Sequence, residues 1–364
     1  MKKLGEISTN KSKKYNPNNE TNFIKCIELE HLSSETGQLL GFVDGSQSGS
    51  IKNVFQKGDV LFGKLRPYLK KYYQPNFDGV CSSEIWVLNG KEILNDFLYY
   101  LIQTNSFVDL ANQSSGSKMP RADWSILENG LFSFPNSEEQ QKIASFLSLI
   151  DERIQTQNKI INDLKTLKIA TAKKIFSGEL RFKDDNGNDF PEWEVREVGE
   201  VFKITRGNVL AMNLVSNQCN EKNTYPVYSS QTKNNGLAGY YTDFLFEDAI
   251  TWTTDGANAG DVNYRSGKFY CTNVCGVLIS NEGYANSCIA ELINSVSKNY
   301  VSYVGNPKLM NGVMSEIKIP FPSLPEQTKI ANFLSAIDSK IDMENQLLQK
   351  LEEQKKYLLQ NMFV

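Results

Sequence analysis

The sequence predicts an α+β chain: two mixed α/β units separated by two long helices that form an antiparallel coiled coil, with a pseudo-twofold internal repeat. Three observations carry this. A segment recurs at a fixed spacing, each copy opens an apolar stripe of helical period, and an unlike, strand-rich segment precedes each stripe.

Glu139–Ile154 recurs 187 positions later as Glu326–Ile341, with eleven of sixteen positions identical. The same offset pairs Phe134-Pro135 with Phe321-Pro322 and Phe176 with Phe363. A fainter match joins Leu4-Gly5-Glu6-Ile7 to Val198-Gly199-Glu200-Val201. The implied order is a first unit at 1–136, a helix at 137–178, a linker and second unit at 179–322, and a helix at 323–364.

Both helices should start sharply. Ser137-Glu138-Glu139 and Ser323-Leu324-Pro325-Glu326 each offer a cap candidate followed by acid or proline. Ile143, Leu147, Ile150, Ile154, Gln157, Ile161, Leu164, Lys168, Thr171 and Ile175 then step by four and three. Ile330, Leu334, Ile337, Ile341, Glu344, Leu348, Leu351, Lys355, Leu358 and Met362 do the same, which is a coiled-coil seam. At ~1.5 Å per residue, ~35 residues make a rod of roughly 50 Å. An antiparallel pairing within the chain is expected to set Lys168 against Glu344 and Lys355 against Gln157. The same register sets Ile161 against Leu351, Leu164 against Leu348 and Ile154 against Leu358. A parallel pairing would put Lys168 beside Lys355, which a low-dielectric seam disfavours.

The globular units carry scattered polar and basic loops. Gly63-Lys64-Leu65-Arg66-Pro67-Tyr68-Leu69-Lys70-Lys71 ends a strand in a basic, aromatic turn suited to phosphate and base contact. A solvated edge strand with gatekeeper charges would carry the same residues. Lys13 and Lys14 form another cluster, and Lys118 and Arg121 lie in a small-residue loop. Residues 1–77 hold 12 Lys/Arg against 7 Asp/Glu, although the whole chain is at −3. In the second unit the candidates are Ser229, Gln231, Lys233, Asn258, Arg265, Lys268 and Lys308, side-chain types that read base edges and grip phosphates.

Several chemistries are disfavoured. The composition, 40% hydrophobic and 22% charged, is that of a globular chain, and its net charge excludes a polycation. No apolar run approaches the ~20 residues of a membrane span, and Met1-Lys2-Lys3-Leu4-Gly5-Glu6 has no signal-peptide pattern, so a cytoplasmic place is expected. Six scattered cysteines and the single His31 suggest no metal site and no Ser/His or Cys/His pair. The Cys271–Cys275 spacing fits ordinary strand packing. No P-loop, GxGxxG unit, or Asn/Asp-Pro-Pro-aromatic methyltransferase motif is present.

The repeated Glu-Gln, Lys-Ile-Ala, Phe-Leu and Ile-Asp elements, with Phe321-Pro322-Ser323-Leu324-Pro325-Glu326-Gln327 and Phe190-Pro191-Glu192-Trp193-Glu194, resemble the specificity subunit of type I restriction-modification systems. Gly63–Tyr68 and Tyr228-Ser229-Ser230-Gln231 resemble segments of that family's target recognition domains. The resemblance implies that two such domains each bind half of a bipartite site on double-stranded DNA. The helices would fix the gap, about one and a half turns at ~34 Å per turn, and dock two methyltransferase subunits and restriction/translocase subunits. It further implies a non-catalytic chain, with S-adenosylmethionine, ATP and Mg on the partners. A coiled-coil adaptor, or a DNA-binding protein without such partners, is the alternative. The first unit departs from the family pattern by lacking a counterpart of Phe190–Glu194 before Leu4-Gly5-Glu6.

Overall fold

The computed structural model describes residues 1–19, 22–113, 120–230 and 234–363. They fall into two compact units, Met1–Lys159 with Gln346–Val364, and Ile160–Asn345. Each unit therefore holds one globular part and a stretch of both long helices, which we label α1 (Ser137–Phe176) and α2 (Leu324–Asn361).

In the first unit a four-stranded antiparallel sheet runs in the order Ser8–Thr9, Ile85–Gly90, Val60–Gly63, Tyr72–Tyr73. A five-stranded mixed sheet orders Lys14–Tyr15, Lys52–Phe55, Gly79–Cys81, Lys25–Ile27 and Val43–Asp44. Phe62, Trp86, Phe97 and Phe107 fill the core between the first sheet and helices Asn95–Leu101 and Asn105–Ala111. In the second unit a six-stranded sheet orders Lys203–Arg206, Cys275–Ile279, Phe246–Thr253, Val262–Cys271, Tyr225–Tyr228 and Leu237–Tyr241. Trp252 is buried there with its indole N–H donating to the Leu309 carbonyl at 3.0 Å. Its ring lies so close to the backbone at Gly276 that a Cβ would stand 2.1 Å from it, so only glycine fits.

Each unit closes on a two-stranded clasp: Lys2–Lys3 with Leu131–Phe132, and Glu194–Glu197 with Lys318–Phe321. A single helical turn follows the first strand of each clasp, Leu4–Ile7 and Val198–Val201. Gly5 sits against Glu128 as Gly199 sits against Ser315. The faint match between those segments is thus a match of structure. The leading segment of the first unit closes on its frame by these backbone pairings.

α1 has 40 residues and α2 has 38, longer than the stripe alone implies. The cap expected of Ser137 is supplied one residue earlier, where Asn136 Oδ1 accepts the Glu139 N–H at 3.0 Å. Ser323 contributes its carbonyl to the Gln327 N–H, but its buried hydroxyl has no hydrogen-bond partner among the described residues. A repeated glutamine does the anchoring instead. The Gln140 amide donates to the Pro135 carbonyl at 2.8 Å while its Oε1 accepts the Leu94 N–H at 2.9 Å. Gln327 repeats this on the Pro322 carbonyl at 2.8 Å, with its Oε1 accepting from Asn286. α1 stops at Gly178, whose φ of +78° is the left-handed conformation that ends helices.

Every stripe position on both helices is buried or half-buried. In the second unit Lys168 reaches Asp338 at 2.9 Å, and Ile175, farther along α1, packs with Ile330 and Leu334, earlier in α2. Those stretches are antiparallel. In the first unit Lys355 reaches Asp151 at 2.7 Å, and Leu359 and Phe363 join the cluster containing Ile143 and Leu147, again antiparallel. Ile154 and Leu358 belong to that same cluster. Ile161 and Leu351 are buried, and Leu164 and Leu348 half-buried, as seam positions require.

The polar pairing differs from the expected one. Lys168 is held by Asp338 and by Glu291 at 2.8 Å, while Glu344 pairs with Lys340 one turn back on its own helix. Lys355 takes Asp151, a carboxylate about one helical turn and a half before Gln157. A carboxylate neutralises a half-buried ammonium better than an amide does, and the flexible lysine stem reaches the aspartate common to both repeats. The two pairs are reciprocal: each joins an aspartate of one copy to a lysine of the other, all at the repeat spacing of 187.

Asp151→Ala should lower stability by about 1–3 kcal/mol, because it strands Lys355, whose side chain is 11% exposed. Asp338→Ala should cost less, because Lys168 keeps Glu291. Chemical denaturation of both variants, and of the charge-swapped Asp151→Lys/Lys355→Asp pair, checks the ranking; the swap should recover part of the loss.

Candidate nucleic-acid interface

The basic turn of the first unit follows strand Val60–Gly63. Three backbone bonds frame it: Lys64 N–H to the Glu84 carbonyl at 2.9 Å, Ala122 N–H to the Lys64 carbonyl at 2.8 Å, and Arg66 N–H to the Pro120 carbonyl at 2.8 Å. Leu65 forms a bridge with Arg121. Within the loop Arg66 and Lys70 both adopt left-handed backbone, φ +53° and +46°, flanking the turn Pro67–Leu69. Non-glycine residues in this region cost roughly 1–3 kcal/mol each, and such strain collects at working sites.

The side chains of Lys64, Arg66 and Lys70 have no ionic or hydrogen-bonded partner among the described residues, and Tyr68 is half exposed. The structure thus gathers on one short loop three cations that are unpaired among the described residues, and one aromatic ring. Arg121 joins them through its backbone, but its guanidinium is paired with Glu84 at 3.0 Å. Lys71 is turned inward, its ammonium donating to the Leu29 carbonyl at 2.8 Å. Lys13 and Lys14 lie elsewhere, along the five-stranded sheet, where Lys14 bonds to Asn53. Lys118 lies outside the described residues.

The second unit repeats the same frame. Thr254 N–H donates to the Val274 carbonyl at 3.0 Å, Leu309 N–H to the Thr254 carbonyl at 2.9 Å, and Gly256 N–H to the Pro307 carbonyl at 3.0 Å. Asp255 bridges to Lys308 as Leu65 does to Arg121. The loops 64–66 and 254–256 are therefore structural equivalents. Their side chains are not: Lys, Leu and Arg in one stand where Thr, Asp and Gly stand in the other. Asp255 collects Arg206 at 3.8 Å and Lys308 at 3.9 Å, and the Thr254 hydroxyl donates to it at 2.7 Å. The cations of this loop are thus partly neutralised. Asn258 sits on the same loop and Lys308 across from it.

Arg265 lies inside the unit, 8% exposed. Its guanidinium packs 3.8 Å from the Tyr228 ring centroid, donating to Thr251 Oγ1 at 3.0 Å and the Asn235 carbonyl at 2.7 Å. It borders a polar cavity of about 250 Å³ whose walls include Ser229, Asn263 and Asn294. It therefore positions the strand ends around that cavity rather than offering an open cation. Ser229 accepts the Thr272 hydroxyl at 2.9 Å. Lys268 stands exposed over the Phe244 ring at 4.6 Å. Gln231 and Lys233 lie outside the described residues.

Pro120-Arg121 and Pro307-Lys308 share the offset of 187 and mark the crossing segment of each frame. That signal is in the sequence, but the loops it frames pair with it only across long separations.

The groups suited to nucleophilic chemistry are placed for structure. His31 Nδ1 accepts the Glu28 N–H at 3.0 Å, a local turn bond. Burial, helped by the Glu28 carboxylate, pushes the Cys26 thiol up to about 12, so it stays protonated at neutral pH. Cys271 and Cys275 are buried in the core beside Phe269 and Val277. Among the described residues no group of three His, Cys, Asp or Glu is placed to hold a metal ion, and no helix is long and apolar enough to cross a membrane.

A family model for the type I restriction modification DNA specificity domain matches residues 1–166 and 191–353. The chain is 40% identical over 141 residues to the N-terminal part of a putative type I specificity subunit of Mycoplasma pneumoniae, covering 38% of this chain and 74% of that protein. The solved type I restriction-modification S subunit from M. genitalium superposes with a TM-score of 0.60 at 19% identity, covering 100% of this chain and 99% of that one. A chain from a solved type I restriction-modification system gives 0.64 at 17% identity, covering 98% and 95%.

Arg265→Met should remove the bond to the Asn235 carbonyl and loosen the loop end at Gly236. The Ser229 amide, which donates to the Gly236 carbonyl at 2.8 Å, should then exchange with deuterium at least tenfold faster. Unchanged exchange would show that the guanidinium does not position this loop.

Proposed function

Because the chain belongs to the type I restriction-modification DNA specificity family, we propose that each unit reads one half of a bipartite site on double-stranded DNA through its framed loop. The chain itself has no catalytic role in this reading. Methyl transfer and cleavage fall to two methyltransferase subunits and to restriction/translocase subunits, which hold S-adenosylmethionine, ATP and Mg, and the assembly works in the cytoplasm.

One observation carries the proposal: two loops with the same backbone hydrogen bonds carry unlike side chains. A constant frame holds the loop at a fixed depth, and its side chains set the hydrogen-bonding pattern offered to base edges. In the first unit Lys64, Arg66 and Lys70 supply phosphate contacts, or bidentate contacts to guanine in the case of Arg66. In the second unit Asp255 and Asn258 offer carboxylate and amide groups, with Lys308 and Lys268 for phosphates, while the buried Thr254 hydroxyl is held within the loop. Lys13, Lys14 and Arg121 complete the positive surface of the first unit. Ser229 is assigned to the same surface in the second, with Arg265 supporting it from within. Gln231, Lys233 and Lys118 are retained as candidates from the sequence.

Docking is supported by apolar side chains that the seam leaves uncovered. Leu149, Leu167 and Ile169 on α1, and Met343, Leu347 and Tyr357 on α2, are between 43% and 72% exposed. Large apolar groups outside a seam fit helices of a partner.

Lys64→Glu with Arg66→Glu should weaken DNA binding by the assembled complex about tenfold or more. The salt dependence should flatten by about 0.9 for each phosphate no longer neutralised. Binding titrations from low to high salt check this; unchanged affinity and slope would point the loop away from DNA. Replacing residues 1–136 by the corresponding part of a relative should change one half of the methylated motif and leave the other half intact, as read by methylome sequencing. The purified chain with DNA, Mg²⁺ and methyl donor should show no turnover; any turnover overturns the non-catalytic assignment.

A further inference from the structure

Each unit buries a cation near the same turn of its sheet, yet only one of the two cations meets a carboxylate. In the first unit the strand Lys25–Ile27 runs parallel to Gly79–Cys81, and the Ser82 N–H donates to the Ile27 carbonyl at 2.9 Å. In the second unit Tyr225–Tyr228 runs parallel to the end of Val262–Cys271, and the Thr272 N–H donates to the Tyr228 carbonyl at 2.9 Å. Both chains then turn alike, with the Ile85 N–H on the Ser82 carbonyl at 2.9 Å and the Cys275 N–H on the Thr272 carbonyl at 3.0 Å. Glu28 and Ser229, the residues that follow the two parallel strands, are therefore equivalent. In the first unit Glu28 accepts from the buried Lys52 ammonium at 2.6 Å. In the second a short hydroxyl stands in place of that carboxylate, and it lines the polar cavity of about 250 Å³ that Arg265 borders.

Arg265 is buried with no carboxylate partner among the described residues. Its contacts are the Thr251 hydroxyl, the Asn235 carbonyl and the Tyr228 ring, all uncharged. The neighbouring sequence Gln231-Thr232-Lys233 holds no acid either. Burial pulls the guanidinium pKa below its ordinary value, as expected of a cation that has lost water without gaining an anion. Asp261 is the one carboxylate on the cavity wall among the described residues, and Lys298 already neutralises it at 2.8 Å. Neutral donors complete the lining. Asn294 Oδ1 accepts the Val262 N–H at 3.0 Å, which leaves its amide N–H groups to donate. The Ser229 oxygen accepts from Thr272, which leaves the Ser229 proton to donate.

We infer that this cavity binds a phosphate-type oxyanion, free or carried on a nucleic-acid backbone, in the place that the Glu28 carboxylate fills in the first unit. Arg265 supplies the charge, and Ser229 and Asn294 supply neutral hydrogen bonds. A guanidinium fork suits two oxygens of such an anion, and the bonds are charge-assisted. The volume is several times the ~30 Å³ of one water, enough for a five-atom oxyanion. Buried charges are paired as a rule, and the protein pairs Lys52 itself but leaves the pairing of Arg265 to a ligand. The site is separate from the loop 254–256. Only the nucleic-acid source rests on the proposed function; a free anion does not.

Inorganic phosphate is the probe, titrated by calorimetry into the full chain in a phosphate-free buffer. One saturable site per chain is expected. Arg265→Met should weaken it at least tenfold, and Arg265→Lys should weaken it less. Ser229→Glu supplies the carboxylate from within the chain, so it should raise the thermal midpoint and abolish phosphate binding. Ser229→Gln, of equal length but uncharged, should raise the midpoint less. Absence of saturation, or binding indifferent to both Arg265→Met and Ser229→Glu, overturns the site. A DNA duplex added to the phosphate-loaded chain separates the sources. Release of phosphate assigns the site to the nucleic-acid backbone, and phosphate retained beside bound duplex assigns it to a free anion. If the duplex does not bind, the DNA reading fails, and the phosphate titration still decides the site.

Discussion

A lysine set in an otherwise apolar helical stripe cannot be buried without a carboxylate, and this requirement constrains the frame of the molecule. Lys168 and Lys355 occupy equivalent positions in the repeat, and so do Asp151 and Asp338. If each lysine takes the aspartate of the other copy, both ammonium groups are neutralised by one kind of contact used twice. Helix stretches running in the same direction would bring lysine towards lysine, with a repulsion that a partly dry seam barely screens. The apolar positions alone would tolerate either direction, each buried Leu or Ile contributing roughly 1.5–3 kcal/mol whichever neighbour it meets. The ion pairs therefore supply direction and register, and the apolar stripe supplies most of the adhesion. Tyr100 reinforces the first pair, its hydroxyl donating to Asp151 at 3.0 Å; Glu291 reinforces the second. Each globular part thus contributes one side chain to the seam segment in its own unit.

The helical frame was legible because a period of three and four residues survives any change of partner. The repeat made it legible twice over. What the sequence could not convey was the choice among carboxylates within a lysine's reach. Asp338 and Glu344 lie six residues apart on α2, and the helical period alone does not say which of them the Lys168 ammonium meets. The first helix start differs from expectation for a related reason. Asn136 and Ser137 are adjacent and equally good caps, and only the backbone path decides which side-chain oxygen meets the orphan N–H at Glu139. Arg265 shows the limit for the loops. In sequence it is a cation beside Gly267 and Lys268, but it lies on the inward face of Val262–Cys271, where Tyr228 and Thr251 wait for it.

The framed loops were half legible. Lys64, Arg66 and Lys70 stood out by density of charge, and no partner among the described residues consumes them. Their equivalence to 254–256 was hard to read, because it rests on backbone bonds to Pro120 and Pro307, more than fifty residues farther along each chain segment, and only the crossing segment, not the loop, repeats at the offset of 187. For the same reason evolution can rewrite the loop without disturbing it. Backbone N–H and carbonyl groups hold position regardless of side chain, so Lys-Leu-Arg can become Thr-Asp-Gly at constant geometry. Where side chains do carry structure, as Trp252 does through its indole N–H and Gly276 through its missing Cβ, the residues are buried and away from the loop surface.

This separation also accounts for the strained conformations in the first unit. Arg66 and Lys70 sit at positive φ, where glycine would be easier, and Gly256 takes that easier option at φ +93° in the second unit. At the frame's equivalent position the backbone is left-handed in both loops, and the first unit bears the strain of placing a guanidinium there. A cation carried at a conformational cost, with no partner among the described residues, has its use outside the fold. A polyanion meeting that loop would recover the cost through charge-assisted contacts that the protein itself does not make. The loop in the second unit bears no such strain and exposes neutralised, directional groups instead. Two loops on one frame, one biased towards charge and the other towards hydrogen bonding, suit two targets that differ in sequence.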